Sequence, residues 1–329
     1  MEIQWKTIGL IITIMVIGGL SLISIISFLI PASRSTITLA TTTSTDNSGL
    51  LDYLHPEMTK DTGVTVDIVP VGTGAAIEHA KIGLADVIIV HARVLEDQFV
   101  AEGYGIHRVD LMYNDFLIVG PSEDPANIKG LKNSTEIFIR LYNARESIKF
   151  ASRGDNSGTH IKELELWTLA NISIQSDSFE WAQNNPWYLE TGSGMGDTLT
   201  RASTAQAYTL TDRGTWLFNE ESLNLELLAQ GSEFWHNPYG AILVNPDKFN
   251  PNKIKFEMAK KYVQWLISTK GQTMIDNYTI KGKQAFFADF INHVEELSTE
   301  ELEFWNIENT SNLTYRYKKT AKSYSLDHY

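Results

Sequence analysis

Apolar residues along most of the chain follow two alternating spacings. Short β-branched runs, typical of strands, cover residues 35–40, Val64–Val71, 86–90 and 116–119. Between them, apolar residues return at helical spacing, as do Leu50, Leu54 and Met58, and this predicts helices over residues 46–60, 74–83 and 96–103. Strands that alternate with helices indicate an α/β fold with a mostly parallel sheet.

A second α/β unit follows a stretch that contains Pro121, Pro125 and Gly130. Its predicted strands cover residues 148–152 and 207–210, and its predicted helices cover 135–146, 157–170 and a segment that begins at 195. A further apolar strand over residues 239–245 and an amphipathic helix over 254–268 follow. We interpret residues 116–121 and the segment before Tyr239 as two crossings between lobes. Lobe I would then comprise residues 36–119 and 239–290, and lobe II residues 120–238. A cleft between two such lobes is suited to a small ligand and closes by hinge motion.

The first 35 residues have a different character and form a predicted membrane anchor or signal. An uncharged apolar stretch begins at Thr7 and ends at Ile30, just before Pro31. The apolar core of a secretory signal has about 7–15 residues, whereas about 20 residues are needed to span a bilayer. We therefore expect an uncleaved transmembrane helix that holds the protein on the outer side of the cytoplasmic membrane, at the cell surface or in the periplasm. A signal cleaved near Ala32 and Ser33, which would secrete the protein, is the alternative.

Charge and cysteine content narrow the class of protein. The chain has 329 residues with a formal net charge of -13, which argues against a nucleic-acid partner. No cysteine is present, which excludes disulfides, thiolate metal sites, cysteine nucleophiles and a lipid-modified cysteine. A hydrophobic share of 43% is that of a folded globular protein.

Three hydroxyl-rich or glycine-rich segments directly precede predicted helices: residues 41–44 (TTTS), 71–74 (VGTG) and 153–160 (RGDNSGTH). A helix N-terminus carries unpaired N–H groups and partial positive charge, and small residues there let an anion approach the backbone. If the three segments converge, they predict an oxyanion site without a metal cation or cofactor. Candidate donors are the hydroxyls of Thr43, Ser44, Thr73, Ser157 and Thr159, and the guanidinium of Arg153.

Each segment also has a structural interpretation. Serine or threonine before a helix often serves only as an N-cap, and Gly72-Thr73-Gly74 is compatible with a simple tight turn. Arg153 and Asp155 could form an ordinary surface ion pair. A hydrolase is disfavoured because Ser157 and His160 lie on one helical turn and no G-x-S-x-G motif occurs, so we predict no catalytic residue and a protein that is not an enzyme.

Several longer segments resemble the tungstate-binding proteins of ABC importers. They are LATTTSTDNSGLLDYLHPEM, TGVTVDIVPVGTGAAIEHAKIGLADVIIVHA, FVAEGYGIHRVDLMYNDFLIVGPSEDPANIKG, FASRGDNSGTHIKELELW and AYTLTDRGTW, within residues 39–289. This family belongs to the type II periplasmic-type binding proteins, with relatives for molybdate, sulfate and phosphate. The resemblance implies a two-lobed Venus-flytrap fold that delivers tungstate, and molybdate less tightly, to a permease and a cytoplasmic ATPase. A monomer is expected.

The resemblance also implies ligand-binding residues, namely Thr43, Ser44, Thr73, Gly74, Arg153, Ser157, Gly158 and Thr159. Gly72, His91 and Asp155 are expected to support them. Because a carboxylate would repel a dianion, Asp155 is expected to orient Arg153. For His91 and the group Thr211-Asp212-Arg213, structural roles are preferred.

The candidate anions differ in their protonation state at neutral pH and in their size. Tungstate and molybdate are fully ionised at neutral pH and suit a site built from donors, whereas phosphate keeps a proton that needs an acceptor. Sulfate is fully ionised but smaller. The donor-only set of residues, together with the family resemblance, leads us to expect tungstate first and molybdate second; phosphate, sulfate or molybdate binding and a membrane-anchored oxyanion sensor remain alternatives. Residues 291–329 form a C-terminal extension beyond the resemblance and are expected to be solvated.

Overall fold

The structure is a computed structural model that describes residues 35–175, 179–231 and 235–307. The apolar stretch that begins at Thr7 lies outside these residues, so its predicted helix is not addressed by the fold. Within the described ranges, no helix combines the length and apolar character that crossing a membrane requires.

The elements follow one another along the chain in a strand-and-helix order. The strands are β1 (Ser35–Thr42), β2 (Val64–Val71), β3 (Val87–Val90), β4 (Gly105–Gly120), β5 (Phe150–Ser152), β6 (Tyr188–Glu190), β7 (Tyr208–Asp212), β8 (Glu226–Ala229), β9 (His236–Val244), β10 (Thr279–Ile280), β11 (Lys283–Gln284) and β12 (Phe287–Ala288). The helices are α1 (Thr43–Asn47), α2 (Leu50–Thr62), α3 (Thr73–Lys81), α4 (Arg93–Ala101), α5 (Ser134–Asn143), α6 (Gly158–Leu169), α7 (Phe179–Asn184), α8 (Met195–Ala205), α9 (Arg213–Asn219), α10 (Phe256–Ile267), α11 (Thr269–Asn277), α12 (Phe290–His293) and α13 (Thr299–Phe304).

The main sheet is mixed, so the expectation of a mostly parallel sheet is wrong. Its strand order is β2-β1-β3-β9-β4-β7-β5-β6, and β8 and β12 also pair with β4. β1 and β3 are parallel, as are β5 with β6 and β5 with β7. β9 is antiparallel to β3 and β4, and β4 is antiparallel to β7. The two antiparallel strands lie between two groups of parallel strands and join them.

The strand β4 is much longer than the predicted residues 116–119. Its first part, GIHRVDLMYND, alternates polar residues with buried ones such as Val109 and Leu111, a pattern that the search for continuous apolar runs does not detect. β4 pairs with β9 up to Asp115 and with β7 from Phe116 onward. One strand therefore spans both groups of parallel strands.

Two further local predictions differ from the structure. The single helix predicted over residues 46–60 is two helices, α1 and α2, because Gly49 between them adopts a left-handed φ of 76°. Residues 183–188, which their asparagine, proline and tryptophan content predicts to be a loop, contain the end of α7 and the start of β6. The first of the two helices, α1, begins at Thr43, within the TTTS segment.

Each group of strands has its own apolar packing. In the second group the rings of Phe138 and Phe150 meet the edge of Trp167, with ring centroids 4.5 and 5.2 Å apart. In the first group β1 and β3 pack against α2 through Leu39, Leu54 and other buried residues. These cores fix the strand ends from which the functional loops emerge.

The C-terminal extension is partly packed against the rest of the protein as far as residue 307, which corrects the expectation of a solvated segment. Val294 is fully buried, Trp305 is 3% exposed, and both belong to the main apolar core. The ring of Phe304 stacks on His107 with centroids 3.4 Å apart, and the Lys260 ammonium of α10 lies 3.9 Å from the centre of the same ring. Apolar side chains at helical spacing therefore hold α13 against α10 and β4.

We predict that Trp305→Ala lowers the free energy of unfolding by about 3–5 kcal/mol, because truncation of a buried tryptophan leaves a cavity. Urea denaturation followed by circular dichroism measures this change. Phe218→Ala is the control, since Phe218 is 57% exposed and should change stability little. Equal midpoints for Trp305→Ala and the unaltered protein would contradict the packing role of the extension.

Candidate functional site

Three chain segments emerge where the strands of the first group end. We call this row of strand ends a sheet edge. β1 and β2 are neighbours in the sheet, and the hydroxyls of Thr36 and Thr65, near the start of each strand, lie 2.7 Å apart. Their ends therefore also lie side by side, and they lead into Thr43 and Thr73. β3, parallel to β1, ends just before His91.

The second group of strands forms a similar edge. β5, β6 and β7 run in one direction, so the loops after them emerge together. β5 leads into the loop that begins at Arg153, β6 into Thr191, and β7 into α9 through Asp212. Ligands of open α/β sheets bind at such carboxyl ends of strands.

The two edges are in contact. A β-carbon on Gly158, the first residue of α6, would lie 2.9 Å from the ring and from the carbonyl oxygen of His91. A β-carbon on Gly194, just before α8, would lie 4.0 Å from the Thr43 hydroxyl. The RGDNSGTH segment therefore meets His91 across the edges, the TTTS segment meets the start of α8, and the VGTG segment lies on the strand beside TTTS.

The backbone of the Arg153 loop has a defined conformation in which the charged side chains of Arg153 and Asp155 bind each other. Gly154 and Asn156 adopt left-handed φ angles of 59° and 55°; glycine and asparagine tolerate this conformation best. Asp155 accepts a hydrogen bond from the Arg153 guanidinium at 2.5 Å and one from the Ser157 N–H at 3.1 Å. Both carboxylate oxygens are thus engaged within the loop, and Arg153 is only 4% exposed.

Several buried polar atoms on these loops have no hydrogen-bond partner among the described residues. They are the hydroxyls of Thr73, Thr159 and Ser193 and the Nε of Arg153. Leaving a buried donor unsatisfied costs about 1–3 kcal/mol. Because they lie on loops from both sheet edges, these loops are the candidate position for a ligand with acceptor atoms.

The helix starts at the site fall into two kinds. Thr42 caps α1 and Ser157 caps α6, because each hydroxyl accepts the backbone N–H of the third residue of its helix, so the capping interpretation applies to these side chains. α3 and α8 have Gly72 and Gly194 in the cap position, with no capping side chain. Around the β-carbon position of Gly74, no described atom lies within 4 Å, which leaves open space beside the first turn of α3.

His91 belongs to a buried polar network. Its Nδ1 lies 2.9 Å from the Oδ1 of Asn237, whose amide donates to Asn114 at 2.7 Å, and its ring packs on Tyr239. Burial lowers the pKa of His91 to about 4, although the nearby Asp212 opposes the change. His91 is therefore neutral at physiological pH, with its Nδ1 proton directed at Asn237. The positive charge of Arg153 also lowers this pKa.

Asp212 is a second carboxylate near the site and is engaged in capping. It is 1% exposed, and its two oxygens accept from the N–H of Thr215 at 2.9 Å and from the hydroxyl of Thr215 at 2.7 Å. Arg213 beside it binds both oxygens of Asp115 on β4, so its charge is neutralised there.

Glu163 of α6 is connected to the Arg153 loop through Ser152. Its Oε1 accepts from the Tyr188 hydroxyl at 2.6 Å and from the Trp167 indole at 3.1 Å. Burial raises the pKa of Glu163 to about 7, although hydrogen bonds from Ser152, Tyr188 and Trp167 oppose the change. Ser152 in turn accepts the N–H of Gly154 at 3.2 Å, which links Glu163 to the loop.

The sequence analysis missed one segment of the site, residues 190–194. Thr191 donates its N–H to the Ser152 carbonyl at 2.9 Å, and Gly194 approaches Thr43. The segment therefore lies between the Arg153 loop and α1. Its composition, with Ser193 between two glycines before a helix, is the same signal as in the other motifs. The three-residue strand β6 before it is too short to be detected from its sequence.

The arrangement is suited to a small anion. Arg153 is the cation of the site, the hydroxyl and N–H groups are donors, and the nearby carboxylates of Asp155 and Asp212 are already hydrogen-bonded. Among the described residues no group of three or more His, Asp or Glu side chains is placed to hold a metal cation. Fixed donors and helix N-termini favour an oxyanion.

The class of protein is shown by a family comparison. A family model described as a PBP superfamily domain matches residues 30–270, which is most of the chain. The fold of two strand groups with loops that meet between them agrees with the two-lobed α/β architecture of this superfamily.

Individual relatives narrow the class. The chain is 45% identical to the tungstate-binding protein TupA of Peptoclostridium acidaminophilum over 256 residues, which cover 78% of this chain and 85% of that protein. The solved TupA of Desulfovibrio alaskensis G20 is 40% identical with a TM-score of 0.65, covering 77% of this chain and 98% of that one. The tungstate ABC transporter structure from Geobacter sulfurreducens is 44% identical with a TM-score of 0.66, covering 74% and 98%. The chain therefore belongs to the family of the tungstate-binding proteins TupA.

We predict that Gly158→Ala weakens anion binding at least tenfold, because the added methyl group would press on the His91 backbone and separate the two edges. Calorimetric titration with sodium tungstate measures the affinity. Ile161→Ala, at a partly exposed position of the same helix, is the control and should bind normally. Normal binding by Gly158→Ala would contradict a site that needs this contact.

We predict that Glu163→Gln changes the pH dependence of stability. The raised pKa of Glu163 means that the folded state keeps a proton which the unfolded state loses above about pH 4.5. The stabilisation from this group is therefore complete below pH 4.5 and is lost as the pH rises to about 7, by up to ~3 kcal/mol.

Glutamine keeps the acceptor oxygen but does not titrate, so the variant should gain stability relative to the unaltered protein between pH 5 and pH 8. Urea unfolding at both pH values gives the difference, and the contributions of His55 and His91 cancel because both proteins contain them. A difference independent of pH would contradict a neutral buried Glu163.

Proposed function

We propose that the protein is an extracytoplasmic solute-binding protein that captures tungstate, and molybdate less tightly, in the cleft between its lobes and delivers it to an ABC importer. The observation that carries this proposal is the set of buried donors without partners, contributed by loops from both sheet edges. The TupA relatives support tungstate as the ligand. The protein acts by binding and is not an enzyme.

We assign the donors as follows. Arg153 provides the positive charge and is held in place by Asp155. We assign the hydroxyls of Thr73 and Thr159 as donors to the ligand, because each is buried and unpartnered in the described structure. The remaining assigned contacts come from Thr43, Ser44, Gly74, Ser157 and Gly158, with Gly72 and His91 as supporting residues.

Protonation supports selectivity against phosphate. A protonated phosphate needs an acceptor for its hydroxyl group, and the oxygens of Asp155 and Asp212 already accept hydrogen bonds from the protein. Tungstate and molybdate carry no proton at neutral pH, so donors alone satisfy them. Discrimination against sulfate then depends on the size of the site.

We propose that residues 36–119 and 239–290 form lobe I and residues 120–238 form lobe II. The change of partners along β4 between Asp115 and Phe116 supports a crossing near the first boundary, four residues before it. The return of the chain along β9, which starts at His236, supports the second. Motion at these two adjacent strands would open and close the cleft.

We further propose that the apolar stretch from Thr7 to Ile30 anchors the protein to the cytoplasmic membrane, with the binding lobes outside the cell membrane. Its length and lack of charge support a spanning helix over a cleaved signal. The partners are an ABC permease and its ATPase, and the binding protein itself is a monomer.

We predict that Arg153→Ala abolishes tight tungstate binding while the protein stays folded, because the change removes the full positive charge of a desolvated anion site. Isothermal titration calorimetry measures binding, and circular dichroism checks the fold. Arg140→Ala removes a partly exposed arginine elsewhere and should bind as the unaltered protein does. Tight binding by Arg153→Ala would move the site away from this loop.

The ligand is tested by titrating the unaltered protein with tungstate, molybdate, sulfate and phosphate. We expect tungstate to bind most tightly, molybdate next, and the other two at least a hundredfold more weakly. Tight sulfate or phosphate binding without a tungstate signal would overturn the proposed function.

A further inference from the structure

The segment between β6 and α8 is held on both sides by the proposed anion site. On one side the Thr191 hydroxyl donates to the carbonyls of Ser152 at 3.1 Å and Arg153 at 3.4 Å. On the other side Gly194 faces the Thr43 hydroxyl. Ser193 therefore lies on a short span whose two ends contact the Arg153 loop and the TTTS segment.

The Ser193 hydroxyl differs from the other hydroxyls of this segment. Those of Thr191 and Thr198 lie 2.7 Å apart, and Thr198 also donates to the Gly194 carbonyl at 3.0 Å. The Ser193 hydroxyl is inaccessible to solvent and has no partner in the described part of the chain. It shares this state with the Arg153 Nε, Thr73 and Thr159, and a single ligand with several acceptor atoms would satisfy all of them.

The backbone after Ser193 adds further donors. α8 has eleven residues and starts at Met195, and Gly194 before it has the extended geometry of a cap residue without a capping side chain. The first-turn N–H groups of such a helix lack partners within the helix and carry partial positive charge. A β-carbon on Gly196 would have no described atom within 4 Å, so the first turn borders open space.

We infer that Ser193 is a further ligand-binding residue, whose hydroxyl donates to the oxyanion together with the first turn of α8. This inference rests on the proposed function, because it places the donor at the same anion site. It adds a contact from β6 and α8 to those from the loops after β1, β2 and β5. A tetrahedral anion would then be enclosed from both sheet edges, with Ser193 beside Thr43.

Calorimetric titration with sodium tungstate tests the inference. We expect Ser193→Ala to weaken binding about tenfold, the usual effect of losing one hydrogen bond to a charged group. Thr200→Ala is the matched control, since its hydroxyl is exposed on α8 and bonds to the Gly196 carbonyl of the same helix. It should leave the affinity unchanged.

The outcomes separate the two proposals. No tungstate binding by the unaltered protein would overturn the proposed function and this inference together. Tight binding by the unaltered protein and equally tight binding by Ser193→Ala would overturn the role of Ser193 alone. If Ser193→Ala does not fold, Ser193→Cys keeps the size of the side chain with a weaker donor, and it should also weaken binding; unchanged affinity in that variant would overturn the inference.

Discussion

The proposed anion binding depends on hydrogen-bond donors that are buried where two sheet edges meet and that lack acceptors within the described protein. The Nε of the Arg153 guanidinium and the hydroxyls of Thr73 and Thr159 are desolvated at this place, while the terminal nitrogen of the guanidinium donates to Asp155. A fold that buries such groups without partners loses stability, and the anion of the proposed function would offset this loss. Binding is therefore favoured by groups that the fold has already removed from water, and little reorganisation of their solvent is needed.

The strands β4 and β9 connect this site to the proposed hinge. Asn114 of β4 and Asn237 of β9 face each other where the strands cross, and their side chains are hydrogen-bonded at 2.7 Å. Asn237 also contacts His91 at 2.9 Å, and His91 touches Gly158 of the opposite edge. Polar contacts thus link the crossing strands to His91, and His91 packs against the start of α6, so the proposed lobe motion would alter this packing contact.

Sequence reasoning was successful where the signal is local and failed where it depends on tertiary contacts. The apolar run DVIIV was sufficient to predict β3, and small residues before helices marked the TTTS, VGTG and RGDNSGTH segments. The first half of β4 was missed because its polar residues alternate with buried ones, and the mixed sheet was missed because strand direction is set by the crossings. Ser193 was overlooked since β6 has only three residues. Which donors lack partners depends on distant neighbours and requires the fold.

The most direct test of this account is the position of the bound anion in a crystal structure grown with sodium tungstate, because tungsten gives a strong anomalous signal. The account predicts one anomalous peak between the two sheet edges, with oxygen atoms within about 3 Å of the Thr73 and Thr159 hydroxyls and of the Arg153 guanidinium. A peak at another place, or a bound anion that leaves these donors unpartnered, would contradict it.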